Sequence, residues 1–212
     1  RNVNAAVSVA GPGGSQLVME NCLHLGPGPL LRSTSGAGKP FEGLDLVLSH
    51  VTVYGATAVE HSFPHPLDDV VPLRVVARDS FLVPHDREQP VLAVRYAVQP
   101  AMLMPKVSWS GSATVCPADA TLLDVTRGPD ASPWRAADIA AWQKYWGTHS
   151  TGVLGARLPF AATPPTAPGD VPTRTVASLS KFGADCTQLW YPPPVALEQL
   201  PLLMERLQPN KP

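Results

Sequence analysis

The chain has 212 residues, 44% hydrophobic and 16% charged, with a formal net charge of −1. This is a globular composition without the basic excess that binding nucleic acid or an anionic membrane surface requires. Its 25 prolines and 16 glycines exclude long helices and long central strands, because proline removes a backbone donor and glycine loses the most entropy on ordering.

Arg1 opens the chain with neither a methionine nor the apolar core of a signal peptide, so the sequence is expected to be part of a longer polypeptide. No apolar run reaches membrane-spanning length. The three cysteines, Cys22, Cys116 and Cys186, are far apart and form no CxxC pair. They are expected to be buried small hydrophobes or free thiols rather than zinc ligands.

From residue 17 the chain repeats itself. The stretch LVMENCLHLGPGPLL (17–31) returns as LVLSHVTVYGATAV (46–59), and VVARDSFLVPHDREQPVLAV (75–94) follows in the same register. Cys22, Val51 and Ser80 are evenly spaced and set a constant 29-residue step. Leu17, Leu46 and Val75 then coincide, as do Met19, Leu48 and Ala77, and a polar column of Asn21, His50 and Asp79. Gly26 meets Gly55 and then Pro84. A period in the twenties is a solenoid signal. The apolar runs are short, rich in Val and Leu, and bounded by Gly, Pro, Asn and Asp, which are strand features.

Three short strands per 29-residue unit predict an all-β solenoid, a right-handed parallel β-helix whose inward residues form columns. Val51 and Val53 are expected to point inward around Thr52. Asn, His and Asp at a fixed corner suit a bent or left-handed backbone. A partial fourth coil is expected in PKVSWSGSATVCPADATLLDV (105–125), with Trp109 in line with Ser80 at the same 29-residue step. The β-helix coils are thus predicted over residues 1–126.

Residues 127–212 are predicted to form a helical and Pro-rich cap and tail. SPWRAADIAAWQKYWG (132–147) is the one strong helix signal, with Ser132 as N-cap, Pro133 at the first helical position and Asp138 near the positive end of the dipole. Ile139, Trp142 and Trp146 form its apolar stripe, and Gly147 ends it. The stripe is expected to pack over the end or side of the solenoid. FAATPPTAPGDVPT (160–173) reads as an extended linker. Residues 195–207 are predicted to hold a short helix with Leu200, Leu203, Met204 and Leu207 as its packing face and a kink at Pro201.

The succession LDLVLSHVTVYG, LRVVARDSFLV, VSWSGSATV and AADIAAWQKYWG resembles a β-helix region of planctomycete proteins. That region lies C-terminal to a serine/threonine kinase domain and a membrane-spanning segment. The resemblance covers residues 15–148 and implies a pectin-lyase-like fold, an extracytoplasmic or cell-surface location, and no established activity. Ala113 and Cys116 stand where the family pattern has Asn and Tyr. The kinase itself is not in this chain, which has no glycine-rich loop, HRD or DFG motif.

Candidate chemistry is sparse. Polysaccharide lyases and hydrolases on β-helices need acids with a neighbouring base, or a carboxylate cluster holding calcium, on the outer face of one sheet. The outward candidates Glu20, Asp45, Arg78 and Asp79 each stand alone on a coil, and Glu20 aligns with Ser49 and Arg78. Asn21, His50 and Asp79 form the candidate ligand-binding column, with a hydrogen-bonded turn ladder as the simpler alternative. EHSFPHPLDD (60–69) holds Glu60, His61, His65, Asp68 and Asp69. Of these, His61, His65 and Asp68 are the candidate metal ligands, although their spacing matches no known ligand frame. His85 and Asp86 read as a solvated turn. SGAGKP (35–40) fails as a P-loop because Pro40 follows the lysine and no helix follows.

The expected function is therefore a non-catalytic β-helix sensor, ligand-binding or scaffold module of a larger protein. It is expected to meet a glycan or protein along an outer sheet face and to need no cofactor. The alternative is a polysaccharide-acting enzyme or a carbohydrate-binding remnant of one.

Overall fold

The computed structural model describes residues 5–11, 14–35, 43–63, 72–84, 88–95, 106–126, 132–147 and 152–156. β1 (Val7–Gly11) is followed by four passages of three strands. These are β2 (Ser15–Glu20), β3 (Leu23–Leu25) and β4 (Leu31–Ser35); β5 (Leu44–Ser49), β6 (Thr52–Tyr54) and β7 (Val59–Ser62); β8 (Leu73–Arg78), β9 (Phe81–Val83) and β10 (Leu92–Arg95); and β11 (Val107–Ser112), β12 (Thr114–Pro117) and β13 (Leu123–Thr126). β14 (Trp134–Ala136), helix α1 (Ile139–Trp146) and β15 (Val153–Ala156) complete the order.

The chain visits three sheets in turn. Sheet A runs β1-β4-β7-β10-β13-β14, sheet B β2-β5-β8-β11 and sheet C β3-β6-β9-β12-β15. All neighbours pair in parallel except β13 and β14. Mostly β structure in stacked parallel sheets is compatible with a solenoid, in which no single passage buries its own inner face.

Strand alternation turns every second residue inward. Leu17, Leu46, Val75 and Trp109 align on sheet B, and Leu31, Val59, Leu92 and Leu123 on sheet A. Leu31, Val59, Leu46 and Leu92 are wholly buried. Val51 and Val53 are also fully inward, but Thr52 between them is buried as well.

The predicted step holds for the first three passages of sheets B and C: Leu17 pairs with Leu46 and Leu46 with Val75, while Leu23 pairs with Thr52 and Thr52 with Phe81. The fourth passage breaks it. Val75 pairs with Trp109, and Phe81 with Val115, so both sheets take the same longer step. Trp109 is therefore not the counterpart of Ser80. The extra length enters the corners, chiefly between β9 and β10, where the stretch 84–91 replaces the shorter link 55–58 between β6 and β7. Corners absorb insertions that strands cannot, because a strand insertion would invert every later side chain.

The expected start of the helix is also revised. Trp134 to Ala136 pair antiparallel with β13 rather than forming a first helical turn from Ser132. Asp138 is the N-cap instead, its Oδ1 accepting the Ala141 N–H at 2.7 Å. The antiparallel strand pairs the edge of sheet A at β13, satisfying backbone groups that a helix there would leave on the sheet.

α1 closes the end of the stack. Trp142 and Trp146 are buried, and Trp142 meets Trp109 edge-on with ring centroids 5.3 Å apart. Gly147 ends the helix at φ 74°. β15 then rejoins sheet C in parallel beside β12, so sheet pairing continues past residue 126. The linker 160–173 and the helix predicted over 195–207 lie outside the described residues.

Candidate functional site

The polar column Asn21, His50 and Asp79 lies at the corner between sheets B and C. All three residues have left-handed backbones, with φ 49°, 53° and 47°, and Ala113 continues the column at 52°. A left-handed turn costs an L-residue about 1–2 kcal/mol, and Asn and Asp tolerate it best because their side chains bond locally. Backbone bonds link the corners: Asn21 N–H donates to Ser49 O, His50 N–H to Arg78 O and Asp79 N–H to Ser112 O, at 3.0, 3.1 and 3.0 Å. The Ser80 hydroxyl joins them, accepting from Val51 N–H at 3.1 Å and donating to Arg78 O at 2.7 Å. The geometry thus aligns the three residues on successive passages of the chain. His50 is exposed, with Nδ1 3.2 Å from Ser49 Oγ, while Asn21 and Asp79 are half-buried.

The EHS segment of β7 is divided by strand alternation. His61 points into the core and is 1% exposed. Its Nδ1 lies 2.7 Å from Ser33 Oγ, and Phe63 packs against it edge-on at 4.5 Å. Burial pushes its pKa down to about 3, which keeps the imidazole neutral. His65 and Asp68 lie outside the described residues, as do Asp69, His85 and Asp86. No group of three or more His, Cys, Asp or Glu side chains suited to a metal occurs among the described residues. Cys22 is half-buried and Cys116 buried, and both are free thiols. Burial raises the Cys116 pKa to about 12.

The other expected outward groups are scattered. Glu20 is exposed at the end of β2, two strands away from Arg78, while Asp45 pairs with Arg74 at 3.1 Å. Glu20 and Asp79 belong to different coils, and His61 faces the interior, so these three do not share a groove.

Glu60, pointing opposite to His61, belongs to a charged ladder on the outer face of sheet A. Arg32 on β4 donates to Glu60 Oε2 from Nε at 3.2 Å and from Nη2 at 3.0 Å. Arg95 on β10 lies between two carboxylates, 3.7 Å from Glu60 Oε1 and 3.8 Å from Asp124 Oδ1. It also donates to Thr126 Oγ1 at 2.9 Å, and Thr126 donates on to Asp124 Oδ1 at 3.0 Å. Arg135 on β14 donates to Asp124 Oδ2 and to Glu88 Oε2, both at 3.1 Å. Burial works against the Arg135 charge, and its bonds to Glu88 and Asp124 outweigh this, leaving its pKa above the ordinary value.

The local reason for the ladder is register. Glu60, Ala93 and Asp124 face each other across β7, β10 and β13. Ala93 is outward yet 1% exposed, so its small side chain leaves room for Arg95 to lie across it and reach both neighbours. The Asp124 side chain is 5% exposed, against 36% for Arg95 and 35% for Arg135. The face therefore presents guanidinium edges around sunken carboxylates.

In the sequence Glu60 stands in the EHSFPHPLDD patch, whereas Arg32, Arg95, Asp124 and Arg135 carry no motif that marks them. Alternation along VEHS would have separated Glu60 from His61. The pairing of Glu60 with Arg95 was not legible, because sheet A keeps no constant step: Arg32 aligns with Glu60, Glu60 with Ala93 and Ala93 with Asp124, each at a different separation along the chain. No family model, curated protein or solved structure matches this chain. No helix among the described residues is long and apolar enough to cross a membrane.

Proposed function

We propose that the chain is a right-handed parallel β-helix module of a larger protein, non-catalytic, that binds a glycan along the outer face of sheet A. The ordered return of the chain to three parallel sheets supports the β-helix assignment. The observation that carries the binding role is the Arg32–Glu60–Arg95–Asp124–Arg135 ladder. It sets guanidinium donors and carboxylate acceptors across neighbouring strands about 4.8 Å apart. Sugar hydroxyls both donate and accept, so an oligosaccharide lying across the strands can bond to successive rungs. The resemblance to kinase-linked planctomycete regions favours a cell-surface or extracytoplasmic setting.

A polysaccharide lyase or hydrolase is the second reading, favoured by two carboxylates flanking one arginine on a single face. Hydrolysis needs one carboxyl able to give up a proton and a second free to attack or activate water. Here Glu60 and Asp124 are each bonded to guanidinium groups, which supports binding over catalysis.

A glycan array probed with the whole chain and with Arg95→Gln tests the proposal. Binding to an acidic or neutral oligosaccharide, weakened at least tenfold by Arg95→Gln in a folded protein, is the expected result. No glycan bound, or equal binding by both proteins, removes the binding role. New reducing ends or unsaturated sugars released from a polysaccharide by the chain, and lost in Glu60→Gln, replace it with the enzymatic reading.

A further inference from the structure

Among the described residues, β2 is the terminal strand of sheet B, and β1 and β3 end sheets A and C on the same side. The Ser15 and Asn21 N–H groups donate to Gly43 O and Ser49 O, toward β5. By strand alternation the backbone groups of Gln16, Val18 and Glu20 point the other way, off the sheet. Glu20 O accepts the Cys22 thiol at 3.3 Å and keeps a second lone pair. The three side chains stand on the outer face and are exposed, Val18 at 55%. Lysine or proline commonly blocks pairing at such an edge, and SQLVME has neither. The inward side of this end is also incompletely covered. Val7, Val9, Leu17 and Cys22 are half-buried, whereas Leu46 and Val75, aligned with Leu17, are 0% and 1% exposed. The opposite end is closed. Trp142 meets Trp109 of β11, and Gly152 lies so near β11 that a Cβ on it would stand 2.5 Å from Gly111 O and Ser112 Cα.

We infer that β2 pairs antiparallel with β2 of a second copy, about a two-fold axis through Val18. This register sets Val18 opposite the partner's Val18, Gln16 opposite the partner's Glu20 and Leu17 opposite the partner's Met19. It meets three requirements together. Residues 16, 18 and 20, whose backbone groups face the edge, fall on one another and exchange both of their bonds. Inward side chains meet inward ones and outward meet outward. The Gln16 amide donates to the partner's Glu20 carboxylate, and no like charges are opposed. An axis through Leu17 or Met19 also keeps the faces, but it pushes Glu20 or Gln16 beyond the partner strand. The edge is therefore complementary to itself in one register. Because the other end is closed, copies do not add head to tail, and the contact is complete at two. Apposition of the two ends also covers the half-buried Val7, Val9, Leu17 and Cys22. The interface is separate from the charged ladder, which lies on the outer face of sheet A.

Analytical ultracentrifugation of the whole chain tests this. A reversible monomer–dimer equilibrium over the micromolar range is expected. Val18→Lys sets two like charges across the axis and is expected to raise the dissociation constant about tenfold or more, with unchanged circular dichroism. Ser110→Lys, exposed on the same face at β11, is expected to leave it unchanged. A monomer at every concentration, or mass that grows past the dimer, overturns the inference, as does equal association with and without Val18→Lys. A second measurement reads the register in the Cys22→Ser/Cys186→Ser chain. Val18→Cys is expected to oxidise to a disulfide-linked dimer and Gln16→Cys to stay unlinked, because in this register only residue 18 faces itself within disulfide reach. Linkage from position 16 as readily as from 18, or from neither, has the same overturning force.

Discussion

Ser33 Oγ and His61 Nδ1 lie 2.7 Å apart inside the stack, in an inward column that continues as Val94 and Val125. An imidazole in this column must stay neutral, and its pKa of about 3 reflects that burial. In the unfolded chain the same group titrates near 6.5. Between about pH 6.5 and 3 the unfolded state takes up a proton that the folded state refuses. Stability then falls as pH falls, by up to about 1.4 kcal/mol per pH unit, and this contribution is constant above pH 6.5. Urea midpoints measured from pH 7 to pH 5 are expected to decline, and the decline to flatten in the Ser33→Ala/His61→Leu double variant. An unchanged slope in that variant would assign the acid sensitivity to other groups.

Asp124 and Asp45 both pair with arginine, but from different depths. The Asp124 side chain is 5% exposed and serves two guanidiniums, whereas Asp45 and Arg74 are 44% and 53% exposed. Removing one partner of a buried pair leaves an uncompensated charge, while an exposed pair contributes little. Asp124→Ala is expected to lower unfolding free energy by about 1–3 kcal/mol, the partial exposure of its arginines reducing the full buried-pair cost. Asp45→Ala is expected to change it by less than about 1 kcal/mol. Chemical denaturation of the two variants decides whether the sheet A ladder is structurally significant.

Ala113 occupies the left-handed corner where the preceding coils carry Asn21, His50 and Asp79. Alanine has no side chain with which to bond in that conformation. Ala113→Gly or Ala113→Asn is therefore expected to raise stability by about 0.5–1 kcal/mol, read as a higher melting temperature. Two residues earlier the opposite holds. A Cβ on Gly111 would stand 1.8 Å from Ala77 O, so Gly111→Ala must displace β11 from β8. A loss of at least about 2 kcal/mol is expected in the same thermal assay.

Trp142 joins α1 to the last rung of sheet B through Trp109, and to Trp146 at 5.5 Å. Trp142→Ala is expected to lower stability by about 3–5 kcal/mol, as for other large buried aromatics. Hydrogen exchange should show the loss first in β11, which carries Trp109, and in β14 and β15, which pack against α1. Uniform loss across all strands would mean that the stack unfolds as one cooperative unit.

The 29-residue step of the first three passages through sheets B and C, and the residues that align on it, were legible in the sequence. Leu17, Leu46 and Val75, or Asn21, His50 and Asp79, recur because successive passages through the same parallel sheets repeat the same burial and the same corner geometry. The helix was legible from its tryptophan stripe, but its start was not, because strand pairing with β13 outweighed the capping signal at Ser132. Corner lengths vary without a sequence marker, so the longer step to Trp109 and the partners across sheet A followed from tertiary pairing. Side-chain alternation alone separates Glu60 from His61. Whether Glu60 meets a metal, water or an arginine depends on which residue stands opposite, and the fold decided it by setting Ala93 beside Glu60 and leaning Arg95 across the gap. By itself the sequence determined a periodic β architecture, since periodicity is a local consequence of burial. The charged face of sheet A was decided by the tertiary structure, because it joins residues whose separation along the chain has no fixed period.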